Sequence, residues 1–207
     1  GISHRLGYVS QTITFLSTFE IANMFPERQT LLSEGIGSCH NRAELMDHWR
    51  RAAQEYGFEH ITLAHAPTPQ DRHFSPLVRE TTLPSEFSLE FDRLELLKVC
   101  PTVTHMARSI MATTWDVGLE GDKPDFDCPP HFAKLFRRFG LRSGVLFTLH
   151  ALDGGRFMVR YDGNREPPSQ AEMNELSMLS TQAFDVFDRL RRTASNTNVL
   201  SARELEV

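Results

Sequence analysis

The stretch that decides the fold is SGVLFTLHALDGGRFMVRYDGNREPPSQAEMNELSMLSTQAFDVFDRLRR, residues 143–192. In its first half, apolar and polar side chains alternate over Ser143–His150 and again over Arg156–Asp162. The turn Asp153-Gly154-Gly155 separates these runs, and such a turn between alternating segments is typical of an antiparallel hairpin. The first half therefore predicts two paired strands.

A long amphipathic helix is predicted for the second half. Two prolines precede Ser169, whose hydroxyl can cap a helix, and Glu172 stands three residues later as the reciprocal capping partner. We expect the helix to end at Arg192, because cations suit a helix C-terminus and the following residues 193–199 are polar. An apolar stripe runs along it at helical spacing: Met173, Leu176, Leu179, Ala183, Val186, Phe187 and Leu190.

Segments upstream predict two further strands and several shorter helices. One helix over Thr12–Phe25 is expected to stop at Pro26, and another is capped by Asn41, with Glu44 as its partner, and ends at Gly57. The remaining predicted elements are strands His60–Ala66 and His73–Leu83, and helices Pro84–Lys98, Pro101–Met111 and Pro130–Phe139. This order predicts an α+β fold, an α-β-α sandwich with a central antiparallel sheet flanked by helices.

Composition excludes several functional classes. The 207-residue chain has a net charge of -5, which argues against direct binding of nucleic acid by this part of the protein. Its three cysteines are widely spaced, so neither a disulfide framework nor a zinc site is expected, and a cytoplasmic location fits best. No run of 18 apolar residues could span a membrane.

We expect neither an enzyme nor a cofactor-dependent protein. Cys100 and His105 are close in sequence, but no third group that would orient the histidine and no oxyanion motif is visible. The nine histidines form no HExxH motif or paired metal-ligand spacing. A buried, inert thiol is therefore the expected state of Cys100.

Several motifs resemble those of LuxR-type transcription regulators. The segment Leu200–Val207, LSARELEV, is similar to the start of the LuxR helix-turn-helix domain, and Gly140–Gly144, GLRSG, is similar to a signature of the family's sensor domain. Trp115 resembles the family's pocket tryptophan, and Pro101 the proline of its Asp-Pro pair. The resemblance covers roughly residues 10–207 and implies a sensor of the acyl-homoserine-lactone type, as in quorum sensing, with the ligand between sheet and helices.

The resemblance also shows where this chain departs from the family. Phe87, Phe91 and Cys100 stand where the family usually has Trp, Tyr and Asp, whose polar groups hold a lactone signal. Phenylalanine has no hydrogen-bond donor and a neutral cysteine is a weak one, so we expect a non-standard signal. The predicted ligand-binding residues are Phe87, Phe91, Cys100, Val103, Trp115, Leu146 and Tyr161.

The domain boundaries follow from these segments. Residues 1–11 are expected to be a cloning remnant or an unstructured start, 12–193 the sensor domain, 194–199 a linker, and 200–207 the first turn of the DNA-binding domain. DNA contacts are expected only through that C-terminal domain.

Two hypotheses remain open. In the first, the domain binds a small signal and forms a dimer through Phe184, Phe187 and Leu190 on the last helix. In the second, the pocket has collapsed, and the domain is a ligand-independent module of a motility-type regulator that pairs with itself or with a related subunit. A ligand cavity needs roughly 300 Å³ or more, so the size of the cavity discriminates between them.

Overall fold

Five antiparallel strands form one sheet in the structure, a computed structural model that describes residues 18–204, with side-chain burial for residues 28–194. In spatial order the sheet runs β2-β1-β5-β4-β3. The strands are β1 (His60–His65), β2 (Val78–Thr81), β3 (Thr113–Asp116), β4 (Ser143–His150) and β5 (Arg156–Gly163). Helices cover both faces, so the predicted α-β-α sandwich is confirmed.

The hairpin predicted from the sequence is present over its full length. β4 and β5 pair without a register shift from Ser143 opposite Gly163 to His150 opposite Arg156. β5 lies at the centre of the sheet, between β1 and β4. Because successive side chains of a strand point to opposite faces, β5 contributes to both helical layers.

Three helices cover one face of the sheet: α1 (Thr18–Gly37), α2 (Arg42–Glu55) and α6 (Gln170–Glu204). A chain of hydrogen bonds crosses this layer, which we call the long-helix layer. The indole Nε1 of Trp49 donates to the hydroxyl of Tyr161 at 2.7 Å, and that hydroxyl lies 2.8 Å from the Ser180 hydroxyl. All three side chains are buried, so each polar group in the chain is satisfied without water.

Shorter helices cover the opposite face: α3 (Ser85–Arg93), α4 (Pro101–Met106) and α5 (Pro130–Arg138). We call this the short-helix layer. Here the predicted elements are longer than the real ones. The strand expected over His73–Leu83 begins only at Val78, because the backbone N–H groups of Phe74 and Ser75 donate to the Asp92 carboxylate and Pro76 has no N–H to offer a ladder.

Helix α3 also ends before the predicted Lys98. Glu95 takes a left-handed conformation, with φ of 49°, and a short 3₁₀ turn follows over Leu96–Val99. Strand β3, at one edge of the sheet, was not predicted at all, because its four residues are too few to show an alternating pattern.

Both long helices continue past their predicted ends. α1 includes Pro26, where the sequence predicted a stop, and reaches Gly37; one missing backbone bond is tolerated because the helix packs along α2 and α6. α6 extends beyond Arg192 to Glu204, so the predicted linker at 194–199 is helical. That segment contains neither Gly nor Pro, and its polarity alone does not end a helix. The predicted boundary at residues 1–11 lies outside the described residues.

The predicted capping box at α6 is confirmed, and at α2 the predicted cap is confirmed with a shifted reciprocal bond. There the Asn41 side chain accepts from the Glu44 N–H at 3.0 Å, whereas the Glu44 carboxylate accepts from the His40 N–H at 2.8 Å. At α6, the Ser169 hydroxyl accepts from the Glu172 N–H, and the Glu172 carboxylate accepts from the Ser169 N–H at 2.8 Å. Within the described residues, no helix is long and apolar enough to cross a membrane.

Glu172 should make a contribution to the free energy of unfolding that depends on pH. Hydrogen bonds from Arg165, and then from Ser169, hold the pKa of this carboxyl below its usual value. Its stabilising effect should therefore be present above pH 4.5 and be lost as the pH falls through the lowered pKa. We expect Glu172→Gln to cost about 0.5–1 kcal/mol at pH 7, and urea unfolding in buffers of decreasing pH should show the difference shrinking as Glu172 becomes protonated.

Candidate ligand-binding site

Most of the predicted ligand-binding residues lie together in the short-helix layer. Phe87 and Phe91 on α3, Cys100, Trp115 on β3 and Leu146 on β4 are all buried there. Val103 on α4 is partly buried and packs against the same cluster. The structure thus brings these six predicted residues into one layer, and their role in ligand binding stays a prediction.

The prediction that Tyr161 lines the same site is wrong, because the structure places this residue in the other layer. It is fully buried in the long-helix layer, where its hydroxyl joins Trp49 and Ser180. Its neighbours on β5, Arg160 and Asp162, point instead to the short-helix face. The prediction therefore chose the wrong one of two alternating positions on β5.

Phe136 of α5 lies at the centre of an aromatic cluster. It stacks on Phe132 with ring centroids 4.6 Å apart, and it meets Trp115 edge-on at 4.9 Å and Phe87 at 5.2 Å. Edge-to-face pairs of this kind add roughly 0.5–1.5 kcal/mol each beyond burial. Phe132 and Phe136 were not among the predicted site residues, although their spacing of four on a helix opposite the sheet was visible in the sequence.

Gly144 is required where Trp115 crosses β4. A Cβ atom at this position would lie 2.4 Å from the carbonyl oxygen of Tyr161 and 2.6 Å from the Trp115 ring. The Trp115 ring thus packs directly against the backbone of β4 at Gly144, which explains why a glycine stands inside this strand.

We expect Gly144→Ala to destabilise the protein by about 1–3 kcal/mol, because a backbone atom and a buried ring must both move. Gly37→Ala is a suitable comparison, since a Cβ there meets nothing within 4 Å and this glycine does not have a positive φ. Chemical unfolding of the two variants tests this: an equal or smaller loss for Gly144→Ala would contradict the tight seating of Trp115.

A buried ion pair lies beneath this cluster. The Nε of Arg160 donates to an oxygen of Asp162 at 2.8 Å, and the two side chains are only 4% and 0% exposed. Burial raises the pKa of the Asp162 carboxyl, although the nearby guanidinium of Arg160 acts in the opposite direction. The sequence did not reveal this pair, because Arg and Asp alternating with apolar residues on a strand ordinarily mark a solvent face.

The ion pair leaves polar groups unsatisfied. Among the described residues, neither Nη2 of Arg160 nor Oδ1 of Asp162 has a hydrogen-bond partner. Leaving a buried polar group without a partner costs about 1–3 kcal/mol. The guanidinium carbon lies 5.7 Å from the ring centroid of Phe136 and 5.8 Å from those of Phe74 and Phe87, so the ring electrons offset part of that cost.

A narrow cavity opens between the ion pair and the aromatic rings. Its empty volume is about 190 Å³, but no part of it is wide enough for a water molecule. The sulfur of Cys100 and the hydroxyl of Thr102 are 3.1 Å apart on its wall and satisfy each other. The residues that line it are Cys100, Pro101, Thr102, Trp115, Phe132, Phe136 and Arg160.

Two of the three residues predicted to form a dimer interface lie inside the chain instead of on its surface. Phe184 and Phe187 are buried within the chain itself, at 5% and 2% exposure, and both pack against Phe157 of β5. Leu190 is partly buried against the same cluster. The apolar stripe of α6 therefore covers the protein's own sheet, and the two phenylalanines offer no area to a partner.

Comparison with known proteins gives a family and a fold. The family profile described as autoinducer binding domain matches residues 41–189. No curated protein matches the sequence. Of the solved structures, CepR2 from Burkholderia cenocepacia, an N-acylhomoserine lactone dependent LuxR family transcription factor, is similar with a TM-score of 0.61 and 13% identity, over 83% of this chain and 99% of that one.

SdiA from Escherichia coli is similar as well. Its structure matches with a TM-score of 0.60 and 18% identity, over 81% of this chain and 69% of SdiA. SdiA in complex with octanoyl-rac-glycerol matches with a TM-score of 0.58, also at 18% identity, over 86% of this chain and 69% of that one. At these identities the likeness establishes the shared fold alone.

Proposed function

The chain belongs to the family of autoinducer binding domains, and from that premise we propose that it is the signal-sensing domain of a cytoplasmic LuxR-type transcription regulator, without enzymatic activity. The small molecule that it senses binds in the short-helix layer, between the sheet and α3–α5. DNA is contacted through a C-terminal helix-turn-helix domain, whose start the segment Leu200–Val207 resembles.

One observation carries this proposal: a buried polar group in the short-helix layer lies beside a cavity and lacks a partner. In the long-helix layer, the polar chain from Trp49 through Tyr161 to Ser180 is closed and satisfied. In the short-helix layer, a buried guanidinium nitrogen faces aromatic side chains with no partner, beside a cavity. Ligand sites are apolar hollows with a few polar groups at defined positions, and the short-helix layer fits that description.

The residues present argue for a signal other than an ordinary acyl-homoserine lactone. Phe87 and Phe91 are packed in the aromatic cluster and bring no polar group to a ligand. The thiol of Cys100 is already paired with Thr102. The buried donor of Arg160 comes from β5, a different side of the cavity from the positions where the family carries its lactone-binding Trp and Asp.

We therefore expect lactones with acyl chains of four to twelve carbons to bind more weakly than 10 µM in a calorimetric titration. Losing two polar contacts at about 1–3 kcal/mol each lowers the affinity by roughly thirtyfold to twenty-thousandfold. A submicromolar dissociation constant for any of these lactones would show that other residues supply the polar contacts.

A second function is favoured by the size of the cavity. No part of the cavity admits a water molecule, so it provides none of the roughly 300 Å³ of accessible space of an ordinary ligand pocket. A domain that has closed in this way would act as a ligand-independent pairing module. Since Phe184 and Phe187 are internal, pairing in either function must use other surfaces.

Thermal unfolding distinguishes the two functions. A molecule that binds only the folded state raises the melting temperature by mass action, so an organic extract from cultures of the cells that make the protein should raise it. The same extract should have no effect on Cys100→Leu, which fills the cavity. If the wild-type melting temperature stays constant while sedimentation shows a stable dimer, the pairing module is the correct function.

A further inference from the structure

At the cavity of the short-helix layer the available polar group is a donor, because the unpartnered Oδ1 of Asp162 belongs to a residue that does not line the cavity. We infer that the signal carries an uncharged hydrogen-bond-accepting oxygen, such as that of a ketone or an ester, and that Nη2 of Arg160 binds it; this inference rests on the function proposed above. An N–H group on the ligand, which an acyl-homoserine lactone supplies to an acidic residue, has no acceptor at Cys100. Where the family has a carboxylate that accepts a hydrogen bond from the ligand, this cavity offers a guanidinium that donates one.

Three observations place the donor at the cavity. Arg160 lines it together with Trp115 and Phe136. The side chain is 4% exposed, and among the described residues its Nη2 has no hydrogen-bond partner. No water fits into the cavity to satisfy this nitrogen, so a ligand oxygen that enters as the rings part gains a charge-assisted hydrogen bond that the free protein lacks.

Charge balance decides between a neutral and an anionic ligand. Arg160 is already paired with Asp162, which is fully buried, so the pair carries no net charge. A carboxylate ligand would add a buried negative charge beside Asp162, and uncompensated buried charge is strongly unfavourable. A carbonyl oxygen satisfies the donor without that penalty.

The residues that line the cavity indicate the chemistry of the remainder of the ligand. Apart from Arg160 and the mutually bonded Cys100 and Thr102, the walls of the cavity are proline and aromatic rings. These surfaces favour a flat apolar group, which can stack against Phe132 and Phe136 as those two rings stack on each other. The signal class is therefore an apolar, ring-containing or chain-like molecule with an uncharged carbonyl at one end.

The test uses three small probes of nearly equal shape: acetophenone, isopropylbenzene and benzoate. Each is titrated into the whole chain, and the two indole N–H resonances are followed by NMR. The Trp115 signal should shift and the Trp49 signal in the other layer should not. We expect acetophenone to bind at least tenfold more tightly than isopropylbenzene, and benzoate to bind more weakly than acetophenone.

Variants assign the preference to Arg160. The double substitution Arg160→Met with Asp162→Leu removes the donor without leaving an unpaired charge or adding a new donor, and it should make acetophenone and isopropylbenzene bind equally. The matched control is Glu90→Gln with Arg93→Met, an exposed pair on α3, which should leave the preference intact.

Each contrary outcome has a distinct meaning. Equal binding of acetophenone and isopropylbenzene to the wild type, or an unchanged preference in the double variant, overturns the role of Arg160 while leaving the ligand site in place. Tighter binding of benzoate overturns the neutral class. If no probe moves the Trp115 signal up to its solubility, the short-helix layer is closed, and both the inference and the proposed function are wrong.

Discussion

Replacing Arg160 with Met is expected to lower the free energy of unfolding by about 3–5 kcal/mol, because it leaves the Asp162 carboxylate buried without its partner. The loss should shrink in acid. Burial holds the pKa of Asp162 above its usual value, so the folded state takes up the proton more readily than the unfolded state. Stability therefore rises as the pH falls through that raised pKa toward the ordinary value of an aspartate.

The neutral double variant provides the control for this prediction. When Arg160→Met is combined with Asp162→Asn, no charge remains buried, and most of the lost stability should return. Urea unfolding at pH 7 and pH 5 compares the three proteins. If the double variant is as unstable as Arg160→Met alone, packing of the arginine stem accounts for the loss, and the ion pair does not.

Replacing Phe187 with Ala is expected to cost about 3–5 kcal/mol of stability and to leave the oligomeric state unchanged. The ring is 2% exposed and lies between Phe184 and Phe157 within one chain. Its removal therefore leaves a cavity in the protein's own core.

Met178 on the same helix is the matched comparison, because 55% of it is exposed. Met178→Ala should change stability by less than about 0.5 kcal/mol. Sedimentation and chemical unfolding of both variants are sufficient. A shift from dimer to monomer in Phe187→Ala, with stability near that of the wild type, would restore this residue to an interface.

The sequence predicted the parts of the fold that depend on local chemistry. The turn Asp153-Gly154-Gly155 and the cap at Ser169 are specified by short-range hydrogen bonds, and both appear as expected. The helix ends at Pro26 and Arg192 were wrong, because packing along a neighbouring helix, or the lack of any helix breaker, outweighs the local signal.

The candidate site was predicted only in outline for a related reason. Phe87 and Phe91 were predicted because they stand where the family carries ligand-binding residues, and both lie buried in the short-helix layer. Arg160 was missed because its burial depends on pairing with Asp162 and on rings contributed by α3 and α5. Tyr161 was misplaced because the alternation of a central strand does not reveal which face holds the ligand when helices cover both.

The most direct test of a ligand site in the short-helix layer is native mass spectrometry of three gently purified proteins. These are the wild type, one variant at the cavity and one variant in the core of the long-helix layer. Cys100→Leu fills the cavity, whereas Cys39→Leu makes the same change at an equally buried cysteine in the long-helix layer. The account predicts a retained small molecule in the wild type and in Cys39→Leu, and its loss in Cys100→Leu. An unliganded mass for the wild type, or a molecule retained equally by Cys100→Leu, would contradict it.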